Sequence, residues 1–200
     1  MHETPTSKCS WRDLSLTTSS NLSLPTFLTF LATVLTLLTA SASALALELK
    51  TDYTTITFPD KGTLHEFNDN LYLGRKLEFL LRRKRAITLE DEVAAKVDLL
   101  IVKAQEVMGM PIRNFDFRII LHRTAKEMQK EYYKTKKRKV HYKAYYSLRH
   151  NILNMGANEV SLRVFSHELG HVIIDHYFKI RPPTKIHEVL AQYCEINITN

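Results

Sequence analysis

Cysteine is scarce in this chain of 200 residues, which contains only Cys9 and Cys194. Two cysteines cannot build the dense disulfide framework that stabilises many small secreted domains. Cys9 also lies in a segment that we expect to be removed on export, which leaves Cys194 without an intramolecular partner. The stability of the remaining chain must therefore come from its hydrophobic core or from a bound metal.

Long uncharged runs are also lacking, which argues against a protein with several membrane spans. The uncharged run "FLTFLATVLTLLTA", 27–40, has 14 residues, whereas a spanning helix needs about 20. Small residues at an Ala-x-Ala spacing follow it in "SASALALE". This layout is typical of an export signal. No cysteine follows the run, which argues against a lipoprotein signal.

We therefore expect residues 1–46 to be a signal peptide or, if cleavage does not occur, an N-terminal anchor; a buried helix is the third alternative. The rest of the protein, 47–200, would then form a single domain. The expected location is extracytoplasmic, either secreted or periplasmic, with membrane attachment if the segment is retained.

Basic residues outnumber acidic ones, and the excess is clustered. Residues 47–200 keep 26 of the 28 basic and 19 of the 21 acidic residues, so the net charge stays at +7. The clusters are "RRKR" at 82–85 and "KTKKRK" at 134–139. Such runs can contact a membrane surface or an anionic polymer, although solvated loops are the simpler interpretation. Export argues against a nucleic-acid partner.

Hydrophobic periodicity predicts an α+β fold with a small, partly antiparallel sheet packed on helices. Strands are expected over 53–58, 115–121, 141–148 and 151–155. Helices are expected from Thr63, from the N-cap Thr88 to Gly109, from the N-cap Thr124, from about Asn158 to 180, and from the N-cap Thr184. Residues 75–85 either continue as a helix or form an exposed connection.

A polar stripe interrupts the apolar helix near the carboxyl end of the chain, in "VFSHELGHVIIDHYF". His167 and His171 are one turn apart on one helix face, so both imidazoles can bind a single tetrahedral Zn²⁺. Glu168 points to the edge of that face, where it can act as a general base without occupying a metal position. The sequence therefore predicts one zinc per chain.

A catalytic zinc site needs a third protein ligand. A metzincin would have His and Gly where this chain has Tyr177 and Ile174, so that pattern fails. Asp175 is one turn beyond His171 and can bind the metal or support a ligand. Glu188 lies on the next helix, and the "RPPT" turn at 181–184 would pack that helix antiparallel and bring Glu188 back. We favour Glu188 and interpret Asp175 as support.

"HELGH" followed after 16 residues by "EVLAQY" resembles the gluzincin metallopeptidases of the thermolysin-like clan, and most closely their small peptidase-MA-like members. The third-ligand helix of those members commonly reads Asn-Glu-Gly-x-Ala-x-Tyr, which Glu188, Ala191 and Tyr193 match. His187 and Val189 stand where Asn and Gly are common. His187 can still donate a hydrogen bond near the metal, and Val189 narrows the approach to it.

The resemblance covers roughly 115–200 and implies a minimal zincin, in which the HExxH helix is followed by a third-ligand helix. It implies a zinc metallopeptidase that hydrolyses a peptide or protein by metal-activated water, with Glu168 as general base. The strand pair before the motif helix fits the family's sheet, whose edge strand holds extended peptides.

The resemblance leaves the donor that would stabilise the tetrahedral oxyanion unassigned. Larger gluzincins supply a Tyr or His from well past the third ligand, and 12 residues follow Glu188 here. Tyr145, Tyr146 and His150 are the candidates, although aromatic sheet residues and an exposed histidine are the simpler interpretation.

Two functions of other classes remain open from the sequence. A catalytically weak or inactive zinc-binding module could act as a binding or assembly factor in the envelope, which the altered Asn and Gly positions would suit. A binder of envelope polymers would work through the basic runs instead.

Overall fold

A computed structural model describes residues 46–82 and 86–200 of the protein. The expected export segment therefore lies outside the described residues, apart from Ala46, and so do residues 83–85 of the first basic run. Within the described ranges, no helix has both the length and the apolar character that crossing a membrane requires.

In the described part of the chain, five strands form one open mixed sheet in the order β1-β2-β3-β5-β4. The strands are β1 (Leu47–Lys50), β2 (Thr54–Phe58), β3 (Phe117–His122), β4 (Ala144–Ser147) and β5 (Ile152–Gly156). The central strands β2, β3 and β5 run parallel, whereas β1 and β4 are antiparallel to their neighbours and occupy the two edges. Ile56, Ile119 and Leu153 lie side by side in this register and are fully buried.

Six α-helices are present in the described ranges. They are α1 (Lys61–Asn70), α2 (Gly74–Leu81), α3 (Leu89–Met108), α4 (Ala125–Lys136), α5 (Leu162–Tyr177) and α6 (Thr184–Asn197). Short 3₁₀ turns follow β4 at Leu148–His150 and β5 at Ala157–Glu159. The predicted α+β class, with a small and partly antiparallel sheet, is confirmed.

Helix starts follow the predicted capping chemistry in two places. Thr88 accepts from the backbone N–H of Asp91, whose side chain accepts from the N–H of Thr88 in return. Thr124 accepts from the N–H of Glu127 at the start of α4. Gly109 ends α3 with a φ of 62°, a conformation that glycine adopts without strain.

Other predicted boundaries were wrong, for local reasons. The motif helix α5 begins at Leu162 and not near Asn158, because Ser161 is its N-cap and accepts from Val164 N–H. Helix α6 has Pro183 as its N-cap residue, so Thr184 is the first helical residue and not the cap. The sequence analysis also missed β1, an edge strand of only four residues, most of them exposed.

Helices α5 and α6 approach each other closely at Gly170. A Cβ atom at this position would lie 2.9 Å from Cα of Ala191 and 3.3 Å from Cβ of Cys194. The lack of a side chain at Gly170 therefore permits this close approach of the helix that carries Glu188.

Gly170→Ala should lower the free energy of unfolding, by up to about 2 kcal/mol. Overpacking of a tight contact costs about 1–3 kcal/mol, which exceeds the helix-propensity gain of about 1 kcal/mol. Denaturant unfolding measures the change, and the exposed Gly62→Ala is the matched control. Unchanged or greater stability of Gly170→Ala would show that the helices are not in close contact.

Candidate metal centre

Three potential ligands from α5 and α6 converge on one point. Nε2 of His167 lies 3.6 Å from Oε2 of Glu188, and Nε2 of His171 lies 3.7 Å from the same oxygen. The ligand atoms of the three residues all lie within 4.8 Å of one another. Two atoms bound to one zinc ion at about 2.0–2.2 Å can be at most about 4.4 Å apart, so binding requires the ligand atoms to move inward by a few tenths of an ångström. The structure thus brings together the three residues that the sequence suggested as ligands.

A carboxylate behind His167 orients its ring for metal binding. Nδ1 of His167 lies 3.1 Å from Oε2 of Glu195, and Arg163 donates from Nε to the other carboxylate oxygen at 2.8 Å. Because a carboxylate only accepts, Nδ1 carries the proton and Nε2 presents its lone pair towards Glu188. The donor chemistry at His167 therefore fits a metal ion.

His171 is oriented by a second histidine. Its Nδ1 lies 2.7 Å from Nδ1 of His187, and Nε2 of His187 lies 3.0 Å from Oδ1 of Asp175. Asp175 accepts, so His187 carries its proton on Nε2 and accepts the Nδ1–H of His171. Nε2 of His171 is then left with a lone pair that points at Glu188, as ligation requires.

Asp175 lies at the end of this chain of hydrogen bonds. Its side chain is 1% exposed, and that of His187 is 2% exposed. Nε of Arg181 also donates to Oδ1 of Asp175 at 3.0 Å. The structure thus places Asp175 behind His187 and away from the point where the ligand atoms meet.

Burial lowers the pKa of His171 to about 3, and electrostatic interactions with His167, His187 and Arg181 act in the same direction. The imidazole of His171 is therefore neutral near pH 7. Neutral imidazole is the form that binds a metal.

Glu168 lies beside the ligands without joining them. Burial raises the pKa of its carboxyl group to about 7, although a hydrogen bond from the backbone N–H of Tyr146 lowers it in part. The negative charge of Glu188 raises it further. Glu168 can therefore take up or release a proton near neutral pH.

A cavity of about 570 Å³ opens in front of these residues. Its walls come from α4, from β4 and the turn after it, and from α5 and α6. Besides the metal-centre residues, the lining residues are Tyr132, Lys136, Tyr142, Ala144, Tyr145, Tyr146, Ser147, Leu148, Arg149 and Arg181. Strand β4, at the edge of the sheet, thus forms one wall of the cavity.

The backbone of β4 faces the cavity at alternate residues. Gly156 N–H donates to the carbonyl oxygen of Lys143 at 3.2 Å, so these two residues form a hydrogen-bonded antiparallel pair. Because such pairs alternate along two strands, the N–H and C=O groups of Ala144 and Tyr146 point away from β5. The bond from Tyr146 N–H to Glu168 agrees with this direction.

The suggested oxyanion donors have different positions. The hydroxyl of Tyr146 donates to Oδ1 of Asn151 at 2.8 Å, and burial raises its pKa to about 12. The ring of Tyr145 packs edge-on against Tyr132, with centroids 4.9 Å apart. His150 pairs through Nδ1 with Oγ of Ser147 and does not line the cavity. The two tyrosines border the cavity, and His150 lies outside it.

Sequence reasoning missed Glu195, Arg149 and Arg181. Glu195 is seven residues after Glu188, two turns along α6 on the same face, and this spacing could have revealed it. Arg149 and Arg181 lie in turns, where nothing in the sequence separates a cavity residue from a solvated one. His176, beside the stripe, bonds to the carbonyl oxygens of Val172 and Asp116 and does not join the centre.

No protein-family model, curated protein or solved structure gives a significant match to this chain.

His187→Phe should weaken zinc binding by about 10–100-fold, which is the usual effect of losing a partner that orients a ligand. Phe cannot accept the Nδ1–H of His171, so the proton is free to move to Nε2 and block the ligand atom. Zinc competition with a fluorescent chelator measures the affinity. The exposed His141→Phe is the control, and His187→Asn should recover part of the affinity because its amide oxygen accepts. Equal affinity of His187→Phe and wild type would contradict this role.

Proposed function

We propose that the protein is a zinc-dependent metallopeptidase of the minimal zincin type, similar to the gluzincins. One observation carries the proposal: the Nε2 atoms of His167 and His171 converge on the carboxylate of Glu188, while a buried carboxyl group, Glu168, lies beside them. Two imidazoles and one carboxylate are a ligand set of catalytic zinc, with a position left open.

Zinc in such a site polarises a carbonyl group and lowers the pKa of water towards 7. Glu168 supplies the proton transfers that peptide hydrolysis needs. A general base works best when its pKa is near the operating pH. Burial raises the pKa of Glu168 to about 7, and the charge of a bound zinc ion would lower it from there towards the carboxylate form that accepts a proton. The carboxyl group takes a proton from the attacking water and then returns it to the leaving amine.

The edge strand supplies the means to hold a peptide. Ala144 and Tyr146 direct backbone groups off the open side of β4, and Glu168 engages only the N–H of Tyr146. The remaining groups can pair with an extended main chain, as in strand addition. The scissile bond would then lie between β4 and the metal ligands.

Arg181 is the cation that we assign to the developing negative charge on the substrate. It lines the cavity, and its charge is near enough to help lower the pKa of His171. Its bond to the buried Asp175 holds the guanidinium in place, and a positioned cation lowers the energy of an oxyanion. Arg181 takes the role for which Tyr145, Tyr146 and His150 were considered.

We place this activity outside the cytoplasm because of the apolar run at 27–40 and the Ala-x-Ala spacing after it. The absence of a second cysteine in 47–200 is compatible with that location, since the core and the metal can supply the stability.

Glu168→Gln should retain zinc and lower turnover of a peptide library by about 10²–10⁴-fold, because the amide cannot carry the proton. Elemental analysis gives the zinc content, and mass spectrometry of the cleaved library gives the turnover. The exposed Glu66→Gln is the control and should be fully active. A zinc-loaded wild type without turnover would favour the binding or assembly module instead, and Glu168→Gln as active as wild type would exclude Glu168 as the base.

A further inference from the structure

The cavity in front of the metal centre has a marked excess of positive charge. Its acidic lining residues are Glu168 and Glu188, and both belong to the centre itself. All other charged lining residues are cations: Lys136, Arg149 and Arg181. A bound divalent metal would compensate the carboxylate of Glu188, so the cavity would be strongly positive when the protein is loaded.

Lys136 and Arg149 are available to a ligand. Other lysines of this region form ion pairs, Lys134 with Glu131 and Lys143 with Glu159, but the ion pairs of the described residues do not include Lys136 or Arg149. Arg181 differs, because it is bound to Asp175. The first two cations therefore have no acidic partner within the described part of the chain.

These two cations belong to different ends of the cavity. Lys136 is the last residue of α4, one turn beyond Tyr132, whose ring packs on Tyr142 and Tyr145 near the start of β4. Arg149 lies in the 3₁₀ turn directly after β4. A peptide that extends along β4 would pass one cation before the metal ligands and the other after them.

We propose that the cavity selects acidic peptides, with one carboxylate side chain on each side of the cleaved bond. Lys136 would contact one carboxylate and Arg149 the other. This inference rests on the proposed peptidase function and names its substrate class. A cleft lined by one sign of charge concentrates ligands of the opposite sign, and two cations at separate places in the cavity determine which peptide positions should be acidic.

A peptide fits these features better than an anionic polymer. The free backbone groups of Ala144 and Tyr146 can pair with a main chain, which polyphosphate lacks. The tyrosine wall, Tyr132 with Tyr145, can pack on the apolar parts of peptide side chains. The positive charge could bind either ligand, but the free backbone groups of β4 can pair only with a peptide.

The test is equilibrium binding of two peptides to full-length, zinc-loaded Glu168→Gln protein by fluorescence anisotropy. The peptides share one sequence, except that Glu residues flanking the central bond in the first are Gln in the second. The acidic peptide should bind about 4- to 25-fold more tightly, since each of the two partly exposed pairs adds about two- to fivefold. The difference should shrink at 1 M salt.

Lys136→Gln and Arg149→Gln are each combined with Glu168→Gln. Each should lower the affinity for the acidic peptide by about two- to fivefold and leave the affinity for the amide peptide unchanged. Lys139→Gln and Arg138→Gln are matched controls from the same basic region, and they remove the same charge outside the cavity. They should change neither affinity. Equal loss in the control variants would overturn the proposal, because net charge and not the cavity would then be responsible.

Other outcomes separate this inference from the proposed function. Cleavage of both peptides by wild type at equal rates, with equal binding, would support the peptidase and overturn the acidic preference. Preferred binding of the acidic peptide without any cleavage would support the recognition site and contradict hydrolysis. Tighter binding of polyphosphate than of the acidic peptide, lost in Lys136→Gln, would overturn the peptide assignment in favour of a polymer.

Discussion

The close packing of α5 on α6 is the contact on which the rest of the site depends. Gly170 has no side chain at the point of closest approach, and Ala191 faces it from α6. Because each helix is rigid, this single contact fixes the distance between the two histidines on α5 and the carboxylate of Glu188 on α6. A larger residue at position 170 or 191 would push the two helices apart. It would thereby increase the distance between the histidines and Glu188 without touching any of them.

The hydrogen-bonded chain from His171 through His187 to Asp175 buries polar groups, which lowers the stability of the fold. Two helices that packed only for structural reasons would have apolar residues at these positions. Asp175 and His187 are almost completely buried, and among the described residues no hydrogen-bond donor reaches Oδ2 of Asp175. Burying such groups destabilises a fold unless they are fully paired. Their arrangement directs Nε2 of His171 towards Glu188, and this orientation explains why polar groups are buried here despite the loss of stability.

The sequence revealed the parts of the site that depend on regular spacing. His167 and His171 share a face because a helix repeats every 3.6 residues, and the turn at 181–184 predicted that Glu188 would return to them. Hydrogen-bond partners such as Arg181 could not be found in this way, because turn geometry decides where their side chains point. The same limit explains the error at Asn158, where the cap at Ser161 and not the hydrophobic pattern starts α5.

The central claim is that three side chains from two helices bind one zinc ion. Its most direct test is a zinc titration of the full-length chain and of Glu188→Gln against a competing chelator. We predict one zinc per wild-type chain and a zinc affinity at least about 100-fold lower in Glu188→Gln. Loss of a ligand should lower the affinity at least as much as loss of a residue that orients a ligand. Equal affinity and stoichiometry in the two proteins, or no zinc binding by wild type, would contradict it.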